Sequence, residues 1–386
     1  MNISVFMISV CCGLILLSII SCMMNPLFRM PKEEEEEKPE DISSGTGTDC
    51  PPLSLIIMVH GDVDTLERNM PLFLSQQYAP GFQIIVVANE GDSEASDLMK
   101  RYKDEPRLQS TFIPMTARYI SKEKLGITLG VKAAKHEWCL LIDGRCYPES
   151  DQWLAKMGAA CTDENNIVMG YSNFSHESKV FQRFSRLRHF ARIYREAANG
   201  TPYASTHSNL AFRKSDFIKG DGYRGNLECV RGEYDFIVNK YAEEGRSAVV
   251  ANLDAMITED MPTKKHWRSS RLFYIHSCKL MKHGFWHKML GITDSILLHL
   301  TWILSILAII AGAMVQNWVV LGSAVLALLI SIVWRTVIGR KASLRFNAKI
   351  PAWAIVLLEL TSVWHTLFDR IHYRTASKYD FTCHKL

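Results

Sequence analysis

The sequence predicts an α/β domain with a mostly parallel β-sheet, attached to one N-terminal and two to three C-terminal transmembrane helices. Two observations predict it. Short apolar, β-branched runs alternate with helix-period segments between residues 51 and 262, and long uncharged apolar runs lie at both ends. The 386 residues are 48% hydrophobic with 22 Gly and 13 Pro, which excludes a disordered or collagen-like chain. With 44 basic against 40 acidic side chains, the net charge of +4 is too small to announce nucleic acid as the partner. The 10 cysteines are scattered without a C-x-x-C pair and read as reduced thiols of a cytosol-facing protein.

Residues 1–28 form the first membrane segment, because no charged side chain occurs from Ile3 to Phe28. No Lys or Arg precedes the apolar stretch, as a cleaved signal peptide would require. Ile19-Ile20-Ser21-Cys22 also matches a lipobox, under which Cys22 would become a lipid-modified terminus. Residues 29–50, with the acidic run Glu33–Glu37, read as a solvated linker.

Pro51-Pro52 end the linker and open the soluble domain, 51–262. Leu53–Val59 and Phe82–Ala88 are continuous apolar runs of the kind that form strands buried on both faces. Leu108–Ile113 and Trp138–Ile142 supply two more strands, and helices are expected over Asp62–Gln77, Ser93–Tyr102 and Lys122–Lys135. Ligands of such sheets bind at the carboxyl ends of the strands. That selects His60-Gly61-Asp62, Asn89-Glu90-Gly91-Asp92 and Asp143-Gly144-Arg145-Cys146 for inspection. Neither a G-x-G-x-x-G opening nor a P-loop is present.

Residues 263–291 mix Lys264, Lys265, Arg268 and Arg271 with Trp267, Phe273 and Trp286 just before an apolar run. This reads as an interfacial segment on an anionic leaflet, with an RNA-binding surface as its rival. His266, His276, His283 and His287 are taken as interface residues. The cluster Arg183, Arg186, Arg188, Arg192 and Arg195 is taken as a solvated or lipid-facing helix side.

Within 292–368 the spans expected are Ile296–Val315, Trp318–Trp334 and Ile350–Phe368, the last carrying Glu359, a carboxylate that is costly at mid-depth unless paired. Arg335, Arg340, Lys341, Arg345 and Lys349 form the expected basic loop, which places the middle domain in the cytosol. The basic tail 369–386 would then emerge outside under a simple crossing, so either the last segment is re-entrant or interfacial or the tail is an exception.

The order IIVVANEGDSE, then EKLGITLGVKAAKHEWCLLIDGRCYPESDQWL, over residues 53–274, resembles the inverting family 2 glycosyltransferases of the GT-A fold. The flanking spans fit their membrane-bound bacterial subgroup. The resemblance implies that Asp62, Glu90, Asp92, Lys124 and Asp143 bind a nucleotide-diphosphate sugar. Where the family places a metal-binding Asp, this chain has Arg145. Three readings of it stand: a metal-independent electrophile, a site without turnover, or a residue pointing to solvent. The implied cofactor is accordingly none, or Mg2+ or Mn2+ with Asp143 as the remaining metal carboxylate.

Gly232-Glu233-Tyr234-Asp235-Phe236 occupies the place of the family's acidic catalytic motif. This implies Glu233 as general base supported by Asp235, against the plainer reading of acids at a helix N-terminus. Asn209-Leu210-Ala211-Phe212 matches the acceptor-side segment, whereas Trp267-Arg268-Ser269-Ser270-Arg271 lacks the Gln of the family's Gln-x-x-Arg-Trp. The implied protein is a multi-pass enzyme of the bacterial inner membrane with its catalytic domain in the cytosol. It would act on a lipid-linked or polysaccharide acceptor, without nucleic acid. The alternative is an inactive scaffold in a cell-surface polysaccharide assembly complex.

Overall fold

A computed structural model describes residues 5–30, 50–59, 61, 63–116, 121–377 and 379–382. Asp62 and most of the acidic linker lie outside the described residues. The chain divides into two compact units. One comprises Met1–Met30, Lys179–Arg192 and Phe285–Phe368, and the other Pro31–Ser178, Ile193–Gly284 and Asp369–Leu386.

The elements begin with α1 (Val5–Met23), β1 (Leu53–Met58), α2 (Val63–Leu74), β2 (Phe82–Asn89), α3 (Ser93–Arg101) and β3 (Leu108–Ile113). There follow α4 (Lys122–Ala133), β4 (Trp138–Asp143), β5 (Cys146–Pro148), α5 (Trp153–Ala159), β6 (Ile167–Gly170) and β7 (Ser172–Phe174). Next come α6 (Val180–Ala198), β8 (Leu210–Arg213), α7 (Lys214–Lys219), α8 (Glu233–Tyr241), β9 (Ser247–Val250) and β10 (Ile257–Glu259). The chain closes with α9 (Lys264–Ser277), α10 (Gly284–Met314), α11 (Trp318–Arg345), α12 (Ala354–Thr375) and α13 (Tyr379–Thr382).

In the α/β unit seven strands form one sheet in the order β3-β2-β1-β4-β8-β6-β9. It is mostly parallel, with β8 antiparallel to both β4 and β6. Leu53–Met58 and Trp138–Asp143 are buried along their whole length, as central strands covered on both faces must be. A second sheet, β5-β10-β7, lies beyond the end of β4 in sequence and carries Glu259. Beside β1, Met58 is in register with Asp143, and the Gly144 amide donates to the Met58 carbonyl at 2.8 Å.

A Cβ on Gly144 would lie 2.8 Å from that same carbonyl oxygen. Backbone on backbone cannot yield, so Gly144→Ala should destabilise the unit by about 1–3 kcal/mol, the usual cost of overpacking. Thermal unfolding measures it; an unchanged midpoint would contradict this packing.

In the other unit, α10 and α11 are long and apolar enough to cross a membrane, and α1 is a shorter apolar helix. The sequence-based boundary between 291 and 292 falls inside α10. Arg335 is not in a loop: α11 continues as helix to Arg345, and Arg335 is fully buried. Its Nη1 donates to Glu359 Oε2 at 2.7 Å, and its Nη2 donates to the Ser21 carbonyl, Ser21 Oγ and Asp294 Oδ1. Asn25 Nδ2 donates to the other oxygen of Glu359 at 2.6 Å. Arg188 donates to Asp294 and to Ser362 Oγ.

The carboxylate expected to be costly is therefore paired. The arginines of α6 are likewise not a solvated or lipid-facing side, since Arg183, Arg186 and Arg188 are buried. Arg183 donates to the carbonyls of Ala348 and Lys349. An arginine next to an apolar helix needs acceptors, and carbonyls and a carboxylate provide them.

Candidate functional site

Strand β4 delivers Asp143 to the carboxyl end of the sheet, and a tight Asp-Gly-Arg turn folds Arg145 back over it. Asp143 Oδ1 accepts from the Arg145 amide and from Arg145 Nε, both at 3.0 Å, while Oδ2 accepts from Nη2 at 2.9 Å. The other side of the guanidinium, Nη1, donates to His266 Nε2 at 2.9 Å. Nη2 also lies 3.7 Å from Glu259 Oε1. Glu259 is 1% exposed, and its second oxygen is 3.9 Å from His207 Nδ1. The Arg145 carbonyl accepts from the Asp260 amide at 3.1 Å, which fastens the turn to the end of β10.

Burial works against the Arg145 charge, yet Asp143 and Glu259 outweigh it and hold the guanidinium above its ordinary value. The solvent-pointing reading of Arg145 does not hold, because its side chain is 18% exposed and engaged on every side. His266 is not an interface residue either. As the third residue of α9 it caps Arg145, with Ser270 Oγ 3.3 Å from the same ring nitrogen. The next residue, Trp267, packs edge-on to Phe174 under the Arg271 guanidinium.

A second cluster forms at the start of α8. Gly232, at φ +94, turns the chain into the helix, and Glu233 is its first residue. The Glu233 carboxyl is buried: Oε1 is 3.5 Å from Arg231 Nη1, and Oε2 has no hydrogen-bond partner. Arg231 Nη1 also pairs with Glu123 on α4. Burial pushes the Glu233 carboxyl up, Arg231 pulls it back, and Glu123 pushes the same way as burial, for a net rise. Tyr234 is raised by burial first and then by both Asp143 and Glu233. Burial lowers Arg231, whereas Glu123, Glu233 and Asp143 more than offset it. The two clusters thus share one electrostatic neighbourhood.

Segment 205–209 lines the same region. Asp235 Oδ1 accepts from the amide and hydroxyl of Ser205, at 3.1 and 2.8 Å. The His207 ring stacks on Tyr234 with centroids 6.0 Å apart. His207 (φ 103) and Asn209 (φ 79) both occupy the left-handed region, a strained backbone that persists where the surroundings impose it. Asn209 shows how: Trp153 Nε1 donates to its Oδ1, and its Nδ2 donates to the carbonyls of Ala255 and Tyr171. Asn209 is therefore a buried brace between strands.

Of the remaining sequence-based candidates, Lys124, Asp92 and Glu90 are each engaged within the chain. Lys124 is 1% exposed, and its three ammonium donors go to the Asn226 carbonyl, Asn226 Oδ1 and the Cys229 carbonyl. Burial lowers it to about 8. Lys124, expected at the nucleotide, holds the 226–229 loop in this structure. Asp92 is the N-cap of α3, accepting from the Ala95 amide at 3.1 Å. Glu90 is exposed and accepts from the Met115 amide at 2.9 Å. Asp62 lies outside the described residues.

The structure thus pairs Asp143 with Arg145, links Glu233 to them electrostatically through Arg231 and Tyr234, and ties Asp235 to Ser205; it adds Arg231, Tyr234, His207, Glu259 and His266, which sequence reasoning missed. The one available signal was position: Tyr234 lies between two selected acids, and His266 precedes Trp267.

No family model and no curated protein matches the chain. Among solved structures it is similar to the mannosyltransferase PcManGT from Pyrobaculum calidifontis, in complex with GDP-Man and Mn2+. The TM-score is 0.51 at 13% identity, over 94% of this chain and 99% of that one. At that identity the likeness is one of fold alone: the chain shares the α/β fold of that structure.

Proposed function

We propose that the chain is a membrane-anchored inverting glycosyltransferase that moves a sugar from a nucleotide-diphosphate donor to a lipid-linked or polysaccharide acceptor. The observation that carries this reading is the Glu233 carboxyl, buried with an unpartnered oxygen and linked through Arg231 and Tyr234, which sense both Glu233 and Asp143, to the end of β4. Glu233 takes the proton of the acceptor hydroxyl as its oxygen bonds to the anomeric carbon, and the diphosphate leaves with the electron pair of the broken bond. Asp143 addresses the ribose, and Asp235 holds the 205–209 segment through Ser205. The two long apolar helices support membrane anchoring, which we read as the bacterial inner membrane with the α/β unit in the cytosol.

The neighbour's complex contains Mn2+. The residues here do not fit a divalent cation at the end of β4. Both oxygens of Asp143 are taken by Arg145, whose charge would repel one. Among the described residues no three His, Cys, Asp or Glu side chains are arranged to hold a metal. A guanidinium binds phosphate through paired N–H donors, so Arg145 is assigned to the leaving diphosphate. The same pair favours the second reading, an inactive scaffold, because Arg145 already directs Nε and Nη2 at Asp143.

The test is donor turnover by the purified full chain in detergent with EDTA present. Turnover of a nucleotide sugar that persists in EDTA and is lost in Arg145→Ala supports the enzyme. No turnover with any donor tried would leave the scaffold.

A base must be deprotonated, and burial raises Glu233, so the acid limb of kcat/KM should lie above the ordinary carboxylate range. Arg231 opposes that rise. Arg231→Met should therefore move the limb to still higher pH and leave the high-pH rate nearly unchanged. A pH profile checks it, and an unmoved limb would remove Glu233 from the role.

A further inference from the structure

We propose that the cavity at the C-terminal end of α11 binds the phosphate of an anionic membrane lipid. The cavity measures about 270 Å³, room for roughly nine water volumes. Arg340, Ser343 and Lys349 supply its polar wall, and Leu344, Ile350 and Pro351 its apolar wall. It lies where an apolar helix long enough to cross a membrane runs into Arg340, Lys341 and Arg345, the depth of lipid headgroups.

Both cations lining it keep donors for a ligand. Arg340 Nη1 donates to the Ile350 carbonyl at 3.2 Å, and neither Arg340 nor Lys349 is in an ion pair among the described residues. The backbone here is imposed. Asn347 (φ 46) and Lys349 (φ 47) both take left-handed conformations, unusual for a lysine. The Arg183 guanidinium bonds the Ala348 and Lys349 carbonyls, and Ser343 Oγ accepts from the Ile350 amide at 2.8 Å. A rigid loop presenting two cations beside an apolar wall suits an amphipathic anion, with phosphate between the cations and glycerol against Leu344 and Ile350. Free phosphate would use only half of that surface.

The experiment reconstitutes the full chain in nanodiscs of phosphatidylcholine with or without phosphatidylglycerol, and counts phosphatidylglycerol retained per chain after detergent extraction. Retention should exceed the phosphatidylcholine background and fall about fivefold in Lys349→Asn and about 25-fold in Arg340→Gln/Lys349→Asn, at the contribution typical of a basic residue at a lipid surface. Asn suits the left-handed backbone, so the single variant should keep its fold, as thermal unfolding will report. Lys341→Gln removes an exposed charge at the same depth but outside the cavity and should lower retention less than Lys349→Asn does. An equal loss in Lys341→Gln, or full retention in the double variant, would overturn the site. If excess inorganic phosphate protects the chain against thermal unfolding while phosphatidylglycerol is not retained, the lipid assignment fails.

Discussion

Glu233→Gln should reduce sugar transfer by about 10²–10⁴-fold, the typical contribution of a positioned general base. The change is nearly isosteric and removes only the ability to accept a proton. Glu233 opens α8, and its Oε2 has no hydrogen-bond partner, so an amide there breaks no hydrogen bond of that oxygen. The variant should keep its unfolding midpoint and its affinity for nucleotide while kcat falls. Asp235→Asn offers the contrast. Asp235 Oδ1 holds Ser205, so its loss should loosen the 205–209 segment and act mainly on KM. Equal kcat in Glu233→Gln and wild type, with donor and acceptor both saturating, would sink the assignment.

Glu359→Ala should destabilise the apolar unit by about 3–5 kcal/mol, the cost of leaving a buried charge without its partner. Glu359 and Arg335 are both buried, and removal of the carboxylate strands one N–H face of Arg335 and the Asn25 amide. Asp294 would then face two arginines, Arg335 and Arg188. The double variant Arg335→Met/Glu359→Leu returns the network to balance, because Arg188 still pairs with Asp294. It should unfold closer to wild type than Glu359→Ala does. Thermal unfolding in detergent, followed by loss of the monodisperse peak, reads both; a double variant worse than the single would contradict the pairing.

These two regions differ in how far the sequence disclosed them. Strands such as Leu53–Met58 and Phe82–Asn89 were legible because central strands covered on both faces are continuous apolar runs. Asp143 and Arg145 were legible because β4 ends there and ligands gather at such ends. Glu259 was not, since β10 is a three-residue strand with no period to read, and only its pairing with β5 and β7 buries the carboxylate. His266 was misread because Lys264, Lys265 and Trp267 around it look interfacial, and only the fold brings its ring to Arg145. Lys124 was ambiguous for a different reason: a lysine at a helix start reads alike whether its ammonium meets a phosphate or three acceptors from its own chain. Arg335 resembled a loop residue because basic residues usually end a span. Its partner Glu359 was visible, but nothing local joined the two.

The most direct measurement is calorimetric titration of GDP and UDP into the purified full chain in EDTA, repeated with Mn2+ and with Arg145→Ala. If Arg145 supplies the positive charge for the diphosphate, one nucleotide should bind saturably in EDTA with an affinity unchanged by Mn2+, and Arg145→Ala should abolish it. Binding that appears only with Mn2+, or no binding of either nucleotide, would contradict the account.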